Sequence, residues 1–211
     1  MTEPGTMQVQ LVGLEEVVDA CDQLARAILA SGFQPDIVVA IARGGFVPAR
    51  FLCDFLHVGK LTSIRVQHYQ AGAQKEGQAR ITIPLSIDIE GANVLLVDDV
   101  NDSGKTLAAA APHLKSFSPA AVRTAVLHEK TSTVQPADFR AIVIRQWRWI
   151  LYPWAVVEDV GQFVRDMRPT PQNMGEIRKR LDDQYGLAPS PAQLDRVLHF
   201  GNTGLELKMG P

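Results

Sequence analysis

The sequence predicts an α/β fold: a mostly parallel, twisted sheet with helices on both faces, followed by a small helical extension. Short apolar runs that are typical of buried strands alternate along the chain with longer segments of helical periodicity. Turns that contain glycine follow two of these runs directly. Strands that alternate with helices form parallel sheets covered on both faces, and such sheets bind their ligands at the carboxyl ends of the strands.

The apolar pattern also gives the position of each element. It predicts helices over 14–29, 46–56 and 104–117, and strands over 36–41, 61–69, 81–84, 93–97, 121–128 and 141–144. Beyond the last strand prolines recur, and capping patterns at Asn173 and Ser190 each predict the start of a short helix. We therefore expect one domain over 1–168, including a small hood built from flanking segments, and a helical extension over 169–211.

Composition and charge argue against several classes of protein. Hydrophobic residues make up 46% of the 211 residues and the net charge is -2, so nothing favours electrostatic capture by nucleic acid or an anionic membrane. No apolar run approaches the roughly 18–20 residues that cross a bilayer, and residues 1–10 lack the pattern of a secretory signal. Cys21 and Cys53 lie in apolar helical patterns and are expected to be buried thiols. We expect a cytoplasmic protein.

The segment 94–106, VLLVDDVNDSGKT, carries the strongest functional signal. A buried strand ends in the carboxylates of Asp98 and Asp99, and a helix begins a few residues later. The first backbone amides of a helix lack intrahelical acceptors and carry partial positive charge, so they form a phosphate cradle to which the hydroxyls of Ser103 and Thr106 add. The two aspartates suit sugar hydroxyls or the water shell of Mg²⁺. Together these groups predict a site for a ribose 5-phosphate.

A nucleotide-binding P-loop is the competing interpretation, because SGKT at 103–106 resembles the end of that motif. A P-loop requires a glycine five residues before Gly104, and that position is Asp99. Carboxylates there would repel phosphates, so the spacing argues against a P-loop. The other alternative is an ordinary strand-to-helix turn with capping aspartates, but the aspartates and SGKT lie too densely together for that.

The same segment resembles the motif by which type I phosphoribosyltransferases bind phosphoribosyl pyrophosphate (PRPP): a strand, two acidic residues, then an acidic-Thr/Ser-Gly-x-Thr turn. The resemblance covers roughly residues 10 to 165. It implies that Asp98 and Asp99 bind the ribose hydroxyls and the metal ion, Mg²⁺. It also implies that Asp102 is the proton acceptor beside the reacting base. The 5-phosphate is assigned by the resemblance to the turn formed by Ser103, Gly104, Lys105 and Thr106.

The segment 41–45, IARGG, resembles the pyrophosphate loop of the same family. Gly44 and Gly45 allow the backbone to approach an anion closely, and Arg43 adds positive charge. The resemblance implies a cis peptide bond between Ala42 and Arg43. The alternative is a simple strand-to-helix turn, which the PRPP motif further along the chain makes the weaker interpretation.

The small, polar loop from Tyr69 to Arg80 resembles the catalytic lid of the family. Related 6-oxopurine enzymes begin this lid with a Ser-Tyr pair, so Tyr69 matches the tyrosine, which we assign to catalysis, whereas His68 replaces the serine. A lid suits the reaction, because water would otherwise capture the oxocarbenium-like carbon that forms when the glycosyl–pyrophosphate bond breaks.

Lys130 and a tryptophan-rich segment predict the acceptor base. In the 6-oxopurine members a lysine after this strand donates to the purine O6. WRWILYPW, at 147–154, resembles the WI-x-x-PW element of xanthine-guanine and archaeal-type hypoxanthine-guanine phosphoribosyltransferases. By that resemblance Trp149 stacks on the purine and Ile150 presents backbone groups to its edge. Trp147 would share a strand face with Trp149, so a swap of roles stays open.

The chain departs from this pattern at Ala155, where relatives have an acidic residue. Glu158 and Asp159 follow and are candidates to replace that carboxylate. Because the 2-substituents of guanine and xanthine are read in this neighbourhood, the sequence does not rank hypoxanthine, guanine and xanthine.

The predicted reaction transfers the phosphoribosyl group of PRPP to N9 of a 6-oxopurine, giving a nucleoside 5′-monophosphate and pyrophosphate, with Mg²⁺ as cofactor. Two alternatives stay open: a regulatory protein that senses PRPP or a purine, and a phosphoribosyltransferase for another nucleobase. The extension mixes basic residues at 178–180 with acidic ones at 182–183, which argues against DNA binding. We expect it to cover the active site or to form a contact in a homodimer or tetramer.

Overall fold

The computed structural model describes residues 7–69 and 78–204, without the side chains of Tyr69 and Gln78. In chain order its elements are β1 (Val9–Leu11), α1 (Leu14–Ala30), β2 (Ile37–Ala42), α2 (Phe46–Phe55), β3 (Leu61–Tyr69), β4 (Gln78–Ile83), β5 (Asn93–Asn101), α3 (Lys105–Lys115), β6 (Ala121–Lys130), β7 (Phe139–Ile144), β8 (Trp149–Leu151), α4 (Val156–Asp166), α5 (Met174–Tyr185) and α6 (Pro191–Phe200).

The chain divides into two compact units. The sheet unit is Glu15–Gln146, and the small unit combines Met1–Leu14 with Trp147–Pro211. The domain boundary at residue 168 stays a prediction.

The sheet unit contains six strands in the order β4-β3-β2-β5-β6-β7. All neighbouring strands are parallel except β3 and β4, so the predicted α/β class with a mostly parallel sheet is confirmed. Two central strands run further than the apolar pattern predicted, to Asn101 in β5 and to Lys130 in β6. The physical reason is that ladder pairing continues through polar residues, with Asn101 opposite Glu129.

Both faces of this sheet are buried. On one face Val39 and Leu96 pack with Leu107 of α3. Alternate strand residues point to opposite faces, and Val38 and Leu95, which lie on the other face, are also fully buried. Helix α2 contacts β2, β3 and β5. The central strands therefore have a core on both faces, and polar residues of β5 and β6 lie at their carboxyl ends.

The small unit is built around the two-stranded parallel sheet of β1 and β8, in which Val9 lies opposite Trp149. Helices α4, α5 and α6 share one core with β8, and its fully buried members are Leu151, Val160, Ile177, Leu181, Leu194 and Val197. The C-terminal helices are therefore part of the packing that holds β8. No helix in the described part of the chain combines the length and apolarity needed to cross a membrane.

Capping fixes where the two C-terminal helices begin. Ser190 and Gln193 form the predicted capping box at the start of α6, with Pro191 in its first turn. At α5 the Asn173 side chain accepts from the Glu176 amide at 2.9 Å. The Glu176 carboxylate accepts from the Gln172 amide instead of the Asn173 amide, so the reciprocal half of that predicted box is displaced by one residue.

Candidate active site

The candidate site lies at the carboxyl ends of β2 and β5, which are adjacent and parallel in the sheet. The loop after β2 and the Asp98–Asp99 pair of β5 meet there. A Cβ atom on Gly44 would lie 2.3 Å from Asp99 Oδ2, and one on Gly45 would lie 2.3 Å from the Val97 carbonyl oxygen. Only glycine fits at position 45, where the Cβ would meet backbone, whereas a side chain at position 44 would displace the Asp99 carboxylate. The expectation from chain order, that both glycine-containing segments reach one edge of the sheet, is confirmed.

The turn that follows β2 has the backbone geometry that the resemblance to the family implied. The peptide bond between Ala42 and Arg43 is cis, as predicted. The Gly45 amide donates to the Ile41 carbonyl at 2.9 Å, which closes the turn before α2 begins. Arg43 is exposed at this turn, as a residue that meets an anion from solution requires.

The Asp98–Asp99 pair is held by backbone amides. Asp98 Oδ1 accepts from the Asp99 amide at 3.0 Å, and Asp99 Oδ1 accepts from the Val100 amide at 2.8 Å. Asp98 is only 8% exposed. Burial raises the pKa of the Asp98 carboxyl well above its usual range, and the negative charge of Asp99 raises it further.

This pair has the donor chemistry that Mg²⁺ requires. Mg²⁺ binds proteins through one or two carboxylates and keeps water or substrate oxygens in its other positions. Within residues 7–69 and 78–204 there is no group of three or more His, Cys, Asp or Glu side chains able to hold a metal. A pair of carboxylates beside an anion loop fits Mg²⁺, which takes its remaining ligands from water or from the substrate.

The turn at 102–104 leads from β5 into α3, where residues 103–106 are the candidate phosphate cradle. Gly104 has φ +84°, and a Cβ there would lie 2.6 Å from the Gln135 amide nitrogen and 2.7 Å from Thr133 Oγ1. Helix α3 begins at Lys105 and has no acidic residue in its first turn. The amides of that turn have no acceptor within the helix, so the cradle combines amides, the dipole of α3 and nearby hydroxyls.

Lys130, at the end of β6, forms an ion pair with the Asp102 carboxylate. The lysine is 3% exposed, whereas the Asp102 side chain is 42% exposed. The sequence assigned these residues to the base edge and to proton transfer separately. The structure brings the two candidate groups together.

A buried hydrogen-bond network joins β5 and β6 to residues 135–137, and Gln135 lies beside Gly104 of the phosphate turn. Asn101 Nδ2 donates to Glu129 Oε2 at 3.0 Å and to the Gln135 carbonyl at 2.8 Å. Glu129 Oε2 also accepts from the Ala137 amide at 2.7 Å, and Arg140 lies 3.2 Å from Glu129 Oε1. Sequence reasoning missed these residues, because it ended both strands before Asn101 and Glu129.

The small unit holds the tryptophan-rich segment. Trp149 is 38% exposed, and its indole Nε1 donates to Asp159 Oδ2 at 2.8 Å. Trp147 is 49% exposed and precedes β8, so the premise that both tryptophans share one strand face is wrong. The physical reason is that β8 pairs with β1 only from Trp149 onward. Ile150 is buried in the next position of that strand.

Helix α4 supplies the carboxylate that meets Trp149. The Asp159 amide donates to the Ala155 carbonyl at 2.8 Å, so these residues stand one helical turn apart. Asp159 is thus the acidic side chain next along the helix face from Ala155. Whether it replaces the acidic residue of the relatives stays a prediction.

The chain matches the family model of the phosphoribosyl transferase domain over residues 8–159. It belongs to this family. The chain is 33% identical over 143 residues to a xanthine-guanine phosphoribosyltransferase of Ruegeria sp. (strain TM1040), covering 63% of this chain and 78% of that protein.

Two solved structures share its fold. The purine phosphoribosyltransferase from Pyrococcus horikoshii Ot3 has a TM-score of 0.62 at 30% identity, covering 70% of this chain and 94% of that one. A hypothetical protein from Neisseria gonorrhoeae with bound ppGpp has a TM-score of 0.63 at 28% identity, covering 70% of this chain and 89% of that one. The predicted family and enzyme class are confirmed.

Two neighbouring residues of this phosphoribosyltransferase, His68 and Tyr69, end β3 and lead into the predicted lid. Tyr69 ends β3, but its side chain and residues 70–77 of the predicted lid lie outside the described part of the chain. His68 is described, and its Nε2 lies 3.1 Å from Thr106 Oγ1. One feature of the sequence pointed to this contact, namely the histidine where related enzymes have serine.

Proposed function

We propose that this phosphoribosyltransferase transfers the phosphoribosyl group of PRPP to N9 of a 6-oxopurine, with hypoxanthine, guanine and xanthine as the candidate bases. One observation carries the proposal: Asp99, of the Asp98–Asp99 pair, lies against Gly44, and the chain leads from this pair into the first turn of α3 at Lys105. Diol acceptors, a pyrophosphate loop and a phosphate cradle in this arrangement match the three polar parts of PRPP.

The choice of a 6-oxopurine is supported by Lys130 and Trp149. An ammonium group donates and never accepts, so Lys130 suits the O6 atom of hypoxanthine, guanine or xanthine and not the amino group of adenine. An exposed indole provides a stacking surface for a purine ring. The relatives named above as acting on xanthine and guanine, or on purines, point to the same class of base.

The proposed reaction breaks the bond between C1 of the ribose and pyrophosphate and forms the bond between C1 and N9. The purine gives up a ring proton, which Asp102 accepts or positions. Since Lys130 is paired with Asp102, binding of the base would draw the ammonium toward O6 and leave the carboxylate free for the proton. Bound Mg²⁺ would supply positive charge to the leaving pyrophosphate. Orientation by the two loops and charge stabilisation supply most of the rate.

Tyr69 and the backbone of Ile150 keep the roles that the resemblance implies, as the lid tyrosine and as a contact to the base edge. Arg43, Gly44 and Gly45 are proposed to hold the pyrophosphate. Ser103, Gly104, Lys105 and Thr106 are proposed to hold the 5-phosphate. We also propose a homodimer or tetramer in the cytoplasm, which light scattering and fractionation would test.

The decisive experiment mixes the protein with Mg²⁺, PRPP and each of hypoxanthine, guanine, xanthine, adenine, uracil and orotate, and follows nucleoside monophosphate by chromatography. We expect product from one or more of the three 6-oxopurines and none from adenine, uracil or orotate. Product from another base would move the activity to that base, and PRPP binding without product from any base would favour the regulatory alternative.

A second ligand is suggested by the Neisseria gonorrhoeae protein with bound ppGpp. We propose that ppGpp competes with PRPP here, because both carry a pyrophosphate group and a ribose. Initial rates at several PRPP concentrations test this: ppGpp should raise KM for PRPP and leave kcat unchanged. Loss of kcat at saturating PRPP would place ppGpp elsewhere.

A further inference from the structure

His68 contacts the turn to which the 5-phosphate is assigned. It is the residue before the end of β3, and its Nε2 lies 3.1 Å from the hydroxyl of Thr106, in the first turn of α3. Helix α3 packs along β3, which brings together two side chains 38 positions apart in the chain. The imidazole is exposed, so burial of apolar surface does not explain its placement.

The chemistry of phosphate decides which of the two groups donates when the ligand is bound. A phosphate oxygen only accepts hydrogen bonds, and a threonine hydroxyl has a single proton. If the Thr106 hydroxyl donates its hydrogen bond to the phosphate, its oxygen can only accept a hydrogen bond from the imidazole. His68 must then carry a proton on Nε2. Donation into Thr106 Oγ1 also polarises the hydroxyl and strengthens its own donation to the phosphate.

We propose that His68 is a positioning residue for the 5-phosphate: its Nε2–H donates to Thr106 Oγ1 and so directs the Thr106 hydroxyl proton toward the phosphate. The proposal rests on the proposed function, because it takes the turn at 103–106 as the phosphate site. The serine of related enzymes would end well short of Thr106, so this contact belongs to the histidine.

The test measures binding of two ligands to wild-type protein and to two variants by calorimetry in the presence of Mg²⁺. Ribose 5-phosphate probes the cradle, and inorganic pyrophosphate probes the loop at 43–45. His68→Ala should weaken ribose 5-phosphate by about 3- to 10-fold, since a neutral hydrogen bond contributes on the order of 1 kcal/mol. Pyrophosphate affinity should not change. His68→Gln, whose amide also donates, should recover part of the loss.

A double-mutant cycle with Thr106→Ala separates positioning from a general effect on the loop. Once the hydroxyl is absent, His68→Ala should cause no further loss of ribose 5-phosphate affinity. In turnover, His68→Ala should raise KM for PRPP by the same factor and leave kcat within about twofold, as expected for an interaction equal in ground and transition states.

Three results would overturn the proposal: no loss in His68→Ala, an equal loss for pyrophosphate, or an undiminished loss in the Thr106→Ala background. The binding assay needs no catalysis, so the two proposals fail separately. Binding of ribose 5-phosphate that depends on His68, without turnover of any base, would sink the transferase and leave the positioning role standing. A wild-type protein that does not bind ribose 5-phosphate would sink the positioning role, and the product assay with PRPP would still decide the transferase.

Discussion

The sheet unit and the small unit hold their candidate site residues by different means. In the sheet unit the groups assigned to PRPP are set by the backbone: glycines at 45 and 104, where a Cβ would meet backbone atoms, and carboxylates bound to the next amide along the strand. In the small unit the group assigned to the base is one exposed indole on β8, a strand of 3 residues, and it is oriented by a single carboxylate from α4.

Substitutions in the two units should therefore differ in how strongly they affect ligand binding. An added Cβ that meets backbone displaces the whole cradle, because backbone cannot turn aside as a side chain can. An indole held by one hydrogen bond loses orientation gradually as that bond is weakened. We therefore expect larger losses of activity from changes in the sheet unit than from changes in the small unit.

Asp102→Asn is expected to have the largest effect. The amide cannot accept the purine proton, so turnover should fall by roughly 10²- to 10⁴-fold. PRPP binding should stay nearly unchanged, because the cradle uses amides and hydroxyls and not this carboxylate. Steady-state rates together with calorimetric titration of PRPP measure both quantities. Unchanged turnover would remove Asp102 from the mechanism.

The same contrast explains how much the sequence could predict. Neighbouring residues encode a backbone turn, so the aspartate pair and the glycine turns were predicted from short motifs, and the cis bond before Arg43 was implied by the resemblance to the family. Contacts between side chains from distant elements have no local signature. The sequence therefore missed the pairing of Lys130 with Asp102 and that of Trp149 with Asp159.

Strand ends were the other weak point of prediction. Apolar runs mark the buried part of a strand, but the ladder continues for as long as backbones pair. The hydrogen bond between Asn101 and Glu129 lies in this polar continuation, beyond the apolar run of either strand. Hydrophobic pattern alone contains no information about such a pair.

Gly104→Ala is expected to have the next largest effect. The φ of +84° disfavours any L side chain, and the added Cβ would lie 2.6 Å from the Gln135 amide nitrogen, so the turn must shift. KM for PRPP should rise by about tenfold or more, since the loop is displaced by a clash with backbone rather than with a flexible side chain.

Gly91→Ala is the matched control for this change. Gly91 also has a positive φ, +69°, but a Cβ there meets nothing within 4 Å. Both variants should lose a similar amount of stability from backbone strain, about 1 kcal/mol, which thermal unfolding measures. A rise in KM for PRPP in both variants would show that strain, and not the collision at the cradle, is responsible.

Trp149→Ala tests how much the exposed indole of the small unit contributes to purine binding. Stacking of a base on an aromatic ring contributes about 1–3 kcal/mol, so KM for the purine should rise by about tenfold while KM for PRPP changes little. Trp147→Ala removes an indole of similar exposure two positions earlier, outside β8. It should change KM for the purine by less than about twofold. The reverse pattern would assign the stacking role to Trp147.

Asp159→Ala is expected to have the smallest effect, because it leaves the indole in place and removes the carboxylate that orients it. A hydrogen bond to a charged group contributes about 1.5–3 kcal/mol, and only the part used to orient Trp149 affects binding, so KM for the purine should rise a few-fold. Asp159→Asn keeps an acceptor oxygen and should lose less.

Glu158→Ala provides the control, since it removes the same charge from the neighbouring, exposed position of α4. If Asp159 acts through the indole, its replacement should raise KM for the purine and also change the fluorescence that Trp149 contributes, measured as the difference from Trp149→Ala protein. Glu158→Ala should do neither. Equal effects of the two substitutions on KM would mean that charge near the base, and not the orientation of Trp149, sets purine affinity in the small unit.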